Sequence, residues 1–275
     1  VNYYELIGLE KEPFSMTPDP DFYFDAKHHS NCIDRLEISL RLGRGLNVVL
    51  GGIGLGKTTL SRYLLNRFTE YGRDFKFFLI IDPGFSSNLE FVQHMARLFG
   101  IRIQRDDVMA YMNMLEHFLI DMAYEANKQI VLIIDEGQKM GPSQLELIRS
   151  LLNFETNQKK LMQVVILAQP EFRETLNHMP NLKDRIAMSY TLQPLDREES
   201  KNFIDYRLRV AGHPAPGELF TDDAKDMIFN ETNGYPRKMV VLSHNLLLEM
   251  IIAREEAVTA TMVNRFLNQK QFTQI

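Results

Sequence analysis

Gly51-Gly52-Ile53-Gly54-Leu55-Gly56-Lys57-Thr58-Thr59 follows the apolar run Leu46-Asn47-Val48-Val49-Leu50 and leads into a helical pattern from Leu60 to Phe68. Strand, glycine-rich loop and helix in that order are the context a phosphate-binding loop needs. Gly51 to Thr58 also fit the spacing G-x-x-x-x-G-K-[ST]. The glycines let the backbone curl until successive N–H groups point inward, and the helix N-terminus adds positive potential. The expected arrangement has Gly51, Gly52, Ile53, Gly54, Leu55 and Gly56 around the phosphates, with Lys57 on the β- and γ-phosphates. The Thr58 hydroxyl takes Mg²⁺ and Thr59 bonds the α-phosphate. The bland alternative is a glycine-rich turn that happens to end in Lys-Thr.

A second stretch completes the pattern. Ile130-Val131-Leu132-Ile133-Ile134-Asp135-Glu136 is an apolar strand ending in two carboxylates. Open α/β sheets bind ligands at the C-terminal edge of their strands. Asp135 is placed there to hold Mg²⁺, mostly through water, and Glu136 to polarise the attacking water. The same pair would also suit a helix N-cap after a strand. The upstream loop favours the metal and water reading. A further strand, Lys76 to Ile81, lies between the two motifs. With the second acid beside the Mg²⁺ aspartate, it separates the chain from kinase-type and GTPase-type P-loop proteins and points to the ATPase branch.

Composition is that of a soluble globular chain: 275 residues, 45% apolar and 24% charged. No run of 18 apolar residues is present, so no membrane span is expected, and Val1-Asn2-Tyr3-Tyr4-Glu5 lacks the marks of a secretory signal. The single Cys32 excludes an internal disulfide and fits a reducing, cytoplasmic compartment. A formal net charge of −5 argues weakly against a dedicated nucleic-acid binder. The first residue is Val rather than Met, and the natural start is expected upstream or at another codon.

Residues 1 to 45 read as a prelude. Pro13, Pro18, Asp19, Pro20 and Asp21 describe an extended, turn-rich path, with Phe14, Phe22, Tyr23 and Phe24 as packing anchors. His28 and His29 have no partners at metal spacing. Helices are expected from about Asn88 to Phe99, Asp106 to Asn127 and Gln144 to Asn153, the second filling core with Met109, Met112, Met114 and Met122. Strand Gln163 to Ala168 ends in Gln169, whose side chain either senses the γ-phosphate or caps the strand. Strand Met188 to Leu192 follows Arg185. From Asp196 the pattern is purely helical: a first helix to about Val210, a second from about Asp222 to Asn230 with Thr221 as N-cap, a third beginning at Gly234-Tyr235-Pro236-Arg237, and a last from about Thr259 to Asn268. The expected fold is a three-layer α/β/α P-loop core with a central parallel sheet over residues 1–193, its N-terminal extension covering 1–45. A small all-helical lid domain follows over 194–275.

The combination resembles an AAA+ ATPase. More narrowly, Tyr3-Tyr4-Glu5-Leu6-Ile7-Gly8-Leu9, Glu12-Pro13-Phe14, Pro18-Asp19-Pro20, Phe22-Tyr23-Phe24, Ile134-Asp135-Glu136-Gly137-Gln138, Ala168-Gln169-Pro170-Glu171-Phe172, Asp184-Arg185-Ile186 and Gly234-Tyr235-Pro236-Arg237-Lys238 resemble blocks of the general secretion pathway protein A (ExeA-type) ATPases. The resemblance covers essentially the whole chain. It implies that Arg185 is an arginine finger acting on ATP held by a neighbouring subunit, and that Arg237 is the lid's sensor arginine. It also implies an ATP-dependent homo-oligomer and a membrane-anchored secretion-system partner. Two positions depart from the family pattern: Gly52 stands where Glu is common, and Gly137 where a small Ala is usual. Full-length relatives continue into a membrane span and a periplasmic domain, whereas this chain stops at Gln274-Ile275. It is therefore expected to be a cytoplasmic part of an inner-membrane protein or a short family member.

The resemblance thus implies an ATP- and Mg²⁺-dependent hydrolase that energises or regulates assembly of a secretion- or pilus-type envelope apparatus. A rival reading is a DNA-bound regulator like transposition ATPases of the TniB/TnsC kind, which share this core. DNA stays open as a partner, although Lys159, Lys160, Lys183 and Arg185 are too scattered to mark a basic stripe. A third reading is a nucleotide-binding scaffold with little hydrolysis; the presence of both Glu136 and Arg185 argues against it.

Overall fold

The apolar runs become one parallel sheet in the computed structural model, which describes residues 2–17, 19–71, 74–102, 106–155 and 160–272. Its strands are β1 (Leu46–Leu50), β2 (Phe75–Ile80), β3 (Gln129–Ile134), β4 (Met162–Ala168) and β5 (Ile186–Thr191). They lie in the order β2-β3-β4-β1-β5, and every pairing is parallel. The central strands β1, β3 and β4 are almost wholly buried, which is why they read as continuous apolar runs. Edge strand β5 alternates between half-buried and exposed residues. That alternation hides its start, expected at Met188 and found at Ile186. Its register against β1 steps from Leu46↔Ile186 to Asn47↔Met188, so Ala187 is an extra, bulged residue.

Seven helices accompany these strands: α1 (Lys27–Arg41), α2 (Lys57–Tyr71), α3 (Asn88–Phe99), α4 (Val108–Tyr124), α5 (Pro142–Leu151) and the short α6 (Phe172–Asn177) and α7 (Pro180–Lys183). Ser87 caps α3 by accepting the Glu90 N–H at 3.2 Å, and Gly100 closes it at φ 82°. Asp107 caps α4 through the N–H groups of Met109 and Ala110. That helix stops at Tyr124, short of Asn127, because Asn127 turns left-handed at φ 47° and the Lys128 N–H reaches back to the Met122 carbonyl at 2.8 Å. Met112 lies in the core and Met122 packs against it. Met109 points outward at 64% exposure, a correction to the expectation that it fills core.

The chain divides into two compact units. One holds residues 29–53 and 60–192 and carries the sheet; the other holds 1–28, 54–59 and 193–275. Helices of the second are α8 (Arg197–Val210), α9 (Pro216–Leu219), α10 (Asp222–Thr232), α11 (Pro236–Ala253) and α12 (Ala260–Phe272). Asp196 caps α8 at the Glu199 N–H and Thr221 caps α10 at the Ala224 N–H. The first 28 residues group with these helices and not with the sheet, unlike the expected grouping of 1–45 with the core. Their aromatics explain it. Leu9, Phe14, Phe22 and Ala26 are buried in one cluster with Phe203, Phe220, Leu242 and Met250. Arg207, itself buried, clasps the same segment. Its guanidinium donates to the carbonyls of Pro13 at 2.6 Å and Ser15 at 3.0 Å and lies 4.7 Å from the centre of the Phe22 ring. The prelude also carries two short 3-10 helices, Tyr3–Ile7 and Pro20–Phe22. Pro18, Lys159 and Gln274-Ile275 lie outside the described residues. Among the described residues no helix is long and apolar enough to cross a membrane.

Candidate functional site: the carboxyl edge of the sheet and the glycine loop

Register places Leu50 opposite Ala168 and Ile134 opposite Ile166, so β1, β3 and β4 end at one edge. The residues that follow them are Gly51, Asp135 and Gln169. The Gly51 N–H donates to the Ala168 carbonyl at 3.0 Å and the Asp135 N–H to the Ile80 carbonyl at 2.8 Å. Asp135 is only 2% exposed, and its Oδ1 accepts the N–H of Glu136 at 2.9 Å. Glu136 itself is left-handed, at φ 54° and ψ 36°. A non-glycine residue in that region costs on the order of 1–3 kcal/mol and is held by its surroundings. Two of those surroundings are visible. The Lys139 N–H donates to the Glu136 carbonyl at 2.9 Å, closing a short 3-10 turn. Gly137 packs so tightly that a β-carbon there would sit 2.3 Å from Cγ2 of Ile166.

Two contacts at this edge escaped the sequence. Gln138 Nε2 donates to Glu136 Oε2 at 2.6 Å, while Gln138 Oε1 accepts the backbone N–H of Gln169 at 3.0 Å. The only sequence signal was a polar residue two positions after the acids. Lys139 pairs with Asp82 at 2.7 Å, and that hydrogen bond, followed by one from the Gly84 N–H, holds the Asp82 carboxyl below its ordinary range. Both side chains are largely exposed, so this pair adds little stability.

In the glycine loop, Gly54 and Gly56 are left-handed at φ 82° and φ 86°. Ile53 is exposed, Leu55 buried, and Lys57 buried at the first position of α2. The Gly54 carbonyl accepts the N–H of Arg237 at 3.2 Å. Arg237 stands in the first turn of α11, after Pro236, where the fixed φ of proline suits a helix start. Its side chain is exposed and makes no hydrogen bond or ion pair among the described residues. Three residues before Arg237, Gly234 has φ 69°, and a β-carbon there would meet the Leu195 carbonyl oxygen at 2.0 Å. Only glycine fits.

The structure thus gathers Gly51, Asp135, Glu136 and Gln169 at one sheet edge, and Arg237 against Gly54. It sets Arg185 apart: no hydrogen bond or ion pair joins it to the other candidates among the described residues. Arg185 precedes β5 and is half-buried, its N–H bonded to the Leu182 carbonyl at 3.0 Å. Glu155 feels it. The hydrogen bond from Lys160 holds that carboxyl below its ordinary range, and Arg185 adds a weaker pull. Lys160 is engaged with Glu155 and Lys183 with Asn177, so neither contributes to a basic stripe.

A parallel sheet in this order, with the glycine loop after β1 and the acidic pair after β3, defines the AAA+ class of P-loop proteins. An AAA-domain family model matches residues 40–176. Solved structures of the same fold include the Aeropyrum pernix ORC1 protein in complex with DNA (TM-score 0.71, 17% identity, 94% of this chain and 69% of that one). Another is the Aeropyrum pernix ORC2 protein in ADPNP-ADP complexes (TM-score 0.68, 16% identity, 93% and 71%). The general secretion pathway protein A of Aeromonas hydrophila is 30% identical over 250 residues, covering 90% of this chain and 44% of that protein. The chain has the AAA+ fold, is similar to this secretion-pathway relative along most of its own length, and spans less than half the length of that relative.

Proposed function

We propose that the chain binds ATP with Mg²⁺ and hydrolyses it, as the energising or regulating module of a secretion- or pilus-type envelope apparatus. The convergence of Gly51, Asp135, Glu136 and Gln169 at one sheet edge carries this reading. The residues present fit the ligand. Left-handed Gly54 and Gly56 suit a loop that curls around phosphate, and the start of α2 adds positive potential. Lys57 is buried at that start. Hydroxyl and carboxylate oxygens, from Thr58 and Asp135, are the hard donors Mg²⁺ takes. Held by these oxygens, the ion would supply positive charge against the transferring phosphoryl group.

The protein's own groups do the rest. Loop N–H groups of Gly51 to Gly56 and the Lys57 ammonium hold the phosphates, with Thr59 on the α-phosphate. Glu136 orients a water in line with the γ-phosphorus and draws off its proton. The Gln169 amide and Arg237 from the helical lid domain (194–275) report on the γ-phosphate. Arg185 stabilises charge at the site of a neighbouring copy, which makes an ATP-dependent homo-oligomer the working form. A membrane-anchored secretion-system partner and a cytoplasmic location belong to the same proposal, supported by the likeness to a general secretion pathway protein.

Equilibrium binding of a fluorescent ATP analogue to the Lys57→Ala variant tests the loop assignment. An affinity loss of at least about tenfold, together with loss of turnover, is expected. Full binding and turnover in the variant would overturn the reading.

A further inference from the structure

We propose that Gln138 is the positioning residue of this site: a side-chain amide relay that sets the Glu136 carboxylate and couples it to the end of β4. The inference rests on the hydrolysis reading above and extends it to a residue with no direct phosphate or water contact.

The geometry leaves the amide one orientation. The backbone N–H of Gln169 is a donor, so Gln138 must turn its oxygen toward it, at 3.0 Å. Its NH₂ group then faces Glu136 Oε2, at 2.6 Å, a short charge-assisted bond. The amide cannot flip without losing both bonds. Neither end is loose. The Gln169 carbonyl accepts the Phe172 N–H at 3.0 Å as α6 begins, so its peptide is anchored on both sides. Glu136 and Gln138 flank Gly137, which is wedged against Ile166 of β4 with no room for a β-carbon. The turn carrying the base is therefore fastened to β4 twice, once by packing and once by hydrogen bonding.

This assigns Gln169 a second role. Its side chain was expected to sense the γ-phosphate, and its backbone N–H holds the partner of Glu136. A shift of β4's end on loss of the γ-phosphate would move the Gln138 oxygen and with it the Glu136 carboxylate. One oxygen of that carboxylate is fixed by the relay, which leaves the other to meet the water. Positioning of this kind acts on turnover and leaves ground-state nucleotide binding alone.

The test uses the full chain with Mg·ATP and compares wild type, Glu136→Gln, Gln138→Glu and Gln138→Met. Glutamate keeps an acceptor for the Gln169 N–H and replaces the donor facing Glu136 by an oxygen. Methionine keeps the volume and removes both polar atoms. Both Gln138 variants are expected to lose at least about tenfold in kcat, with KM and melting temperature close to wild type. In the Glu136→Gln background, Gln138→Met should cost nothing further. Wild-type kcat in either single variant overturns the relay, as does a loss expressed as higher KM or as unfolding in both. Equal turnover by wild type and Glu136→Gln would instead overturn the hydrolysis reading, and the relay with it.

Discussion

The carbonyl of Gly54 accepts the backbone N–H of Arg237 at 3.2 Å, and a β-carbon on Gly54 would lie 2.8 Å from the β-carbon of Arg237. The crest of the glycine loop is thus fastened to the first turn of α11, next to the residue proposed to read the γ-phosphate. Gly54→Ala faces two obstacles, this close approach and a φ of 82° that costs an L-residue about 1–2 kcal/mol. We expect its affinity for a fluorescent ATP analogue to fall at least about tenfold, with the loss shared by ADP because the loop itself is displaced.

Arg237→Ala should behave differently. The side chain is exposed and makes no bond among the described residues, so melting temperature stays within about a degree of wild type. Turnover falls by roughly 10–100-fold, and ATP affinity drops while ADP affinity does not. Arg237→Lys does not restore it, because a point charge cannot reproduce a planar fork on phosphate oxygens. Parallel titrations with the two nucleotides check the distinction.

Arg185 is half-buried, bonds to no other candidate residue among those described, and is proposed to work on a second copy. Arg185→Ala alone should lower turnover by about 10³-fold. Mixing it with equally inactive Glu136→Gln protein should recover activity, since one copy supplies the arginine and the other the glutamate. A steady-state assay across mixing ratios reads this directly; a mixture as inactive as its components places Arg185 outside the site.

Burial pushes the Cys32 thiol up to about 12, from 9 when free. Between those values the unfolded chain has lost a proton that the native chain keeps. Stability from this group is therefore full below pH 9 and declines as pH rises toward 12, at about 1.4 kcal/mol per pH unit. Urea titrations at pH 8 to 10 should show a downward slope that Cys32→Ala removes. At pH 8 the native thiol should also resist disulfide-exchange reagents until the chain unfolds.

Much of this architecture was legible because local signals coincided with the final contacts. Leu46 to Phe68 read as strand, loop and helix since β1 is buried throughout and α2 follows without interruption. The limits of α3 came out as Asn88–Phe99 from its own periodicity. Where the deciding partner is distant, the sequence was silent. Nothing near Phe14 announces Phe220, whose ring lies 5.8 Å away, or the Arg207 clasp on Pro13 and Ser15. Gln138 finds Gln169 across 31 positions, a pairing set by the β3–β4 register and by no local spacing. Gly137 read as one small residue in place of another. Packing on Ile166 makes it a position where even alanine does not fit, and Gly137→Ala should cost about 1–3 kcal/mol in a denaturant titration.

Glu136 is the residue on which the hydrolysis account turns. Single-turnover conversion of bound Mg·ATP, stopped by acid and compared between wild type and Glu136→Gln, tests it most directly. The account predicts that the variant binds ATP within about threefold of wild type and forms ADP at least about 100-fold more slowly. Formation of ADP by the variant at the wild-type rate would contradict it.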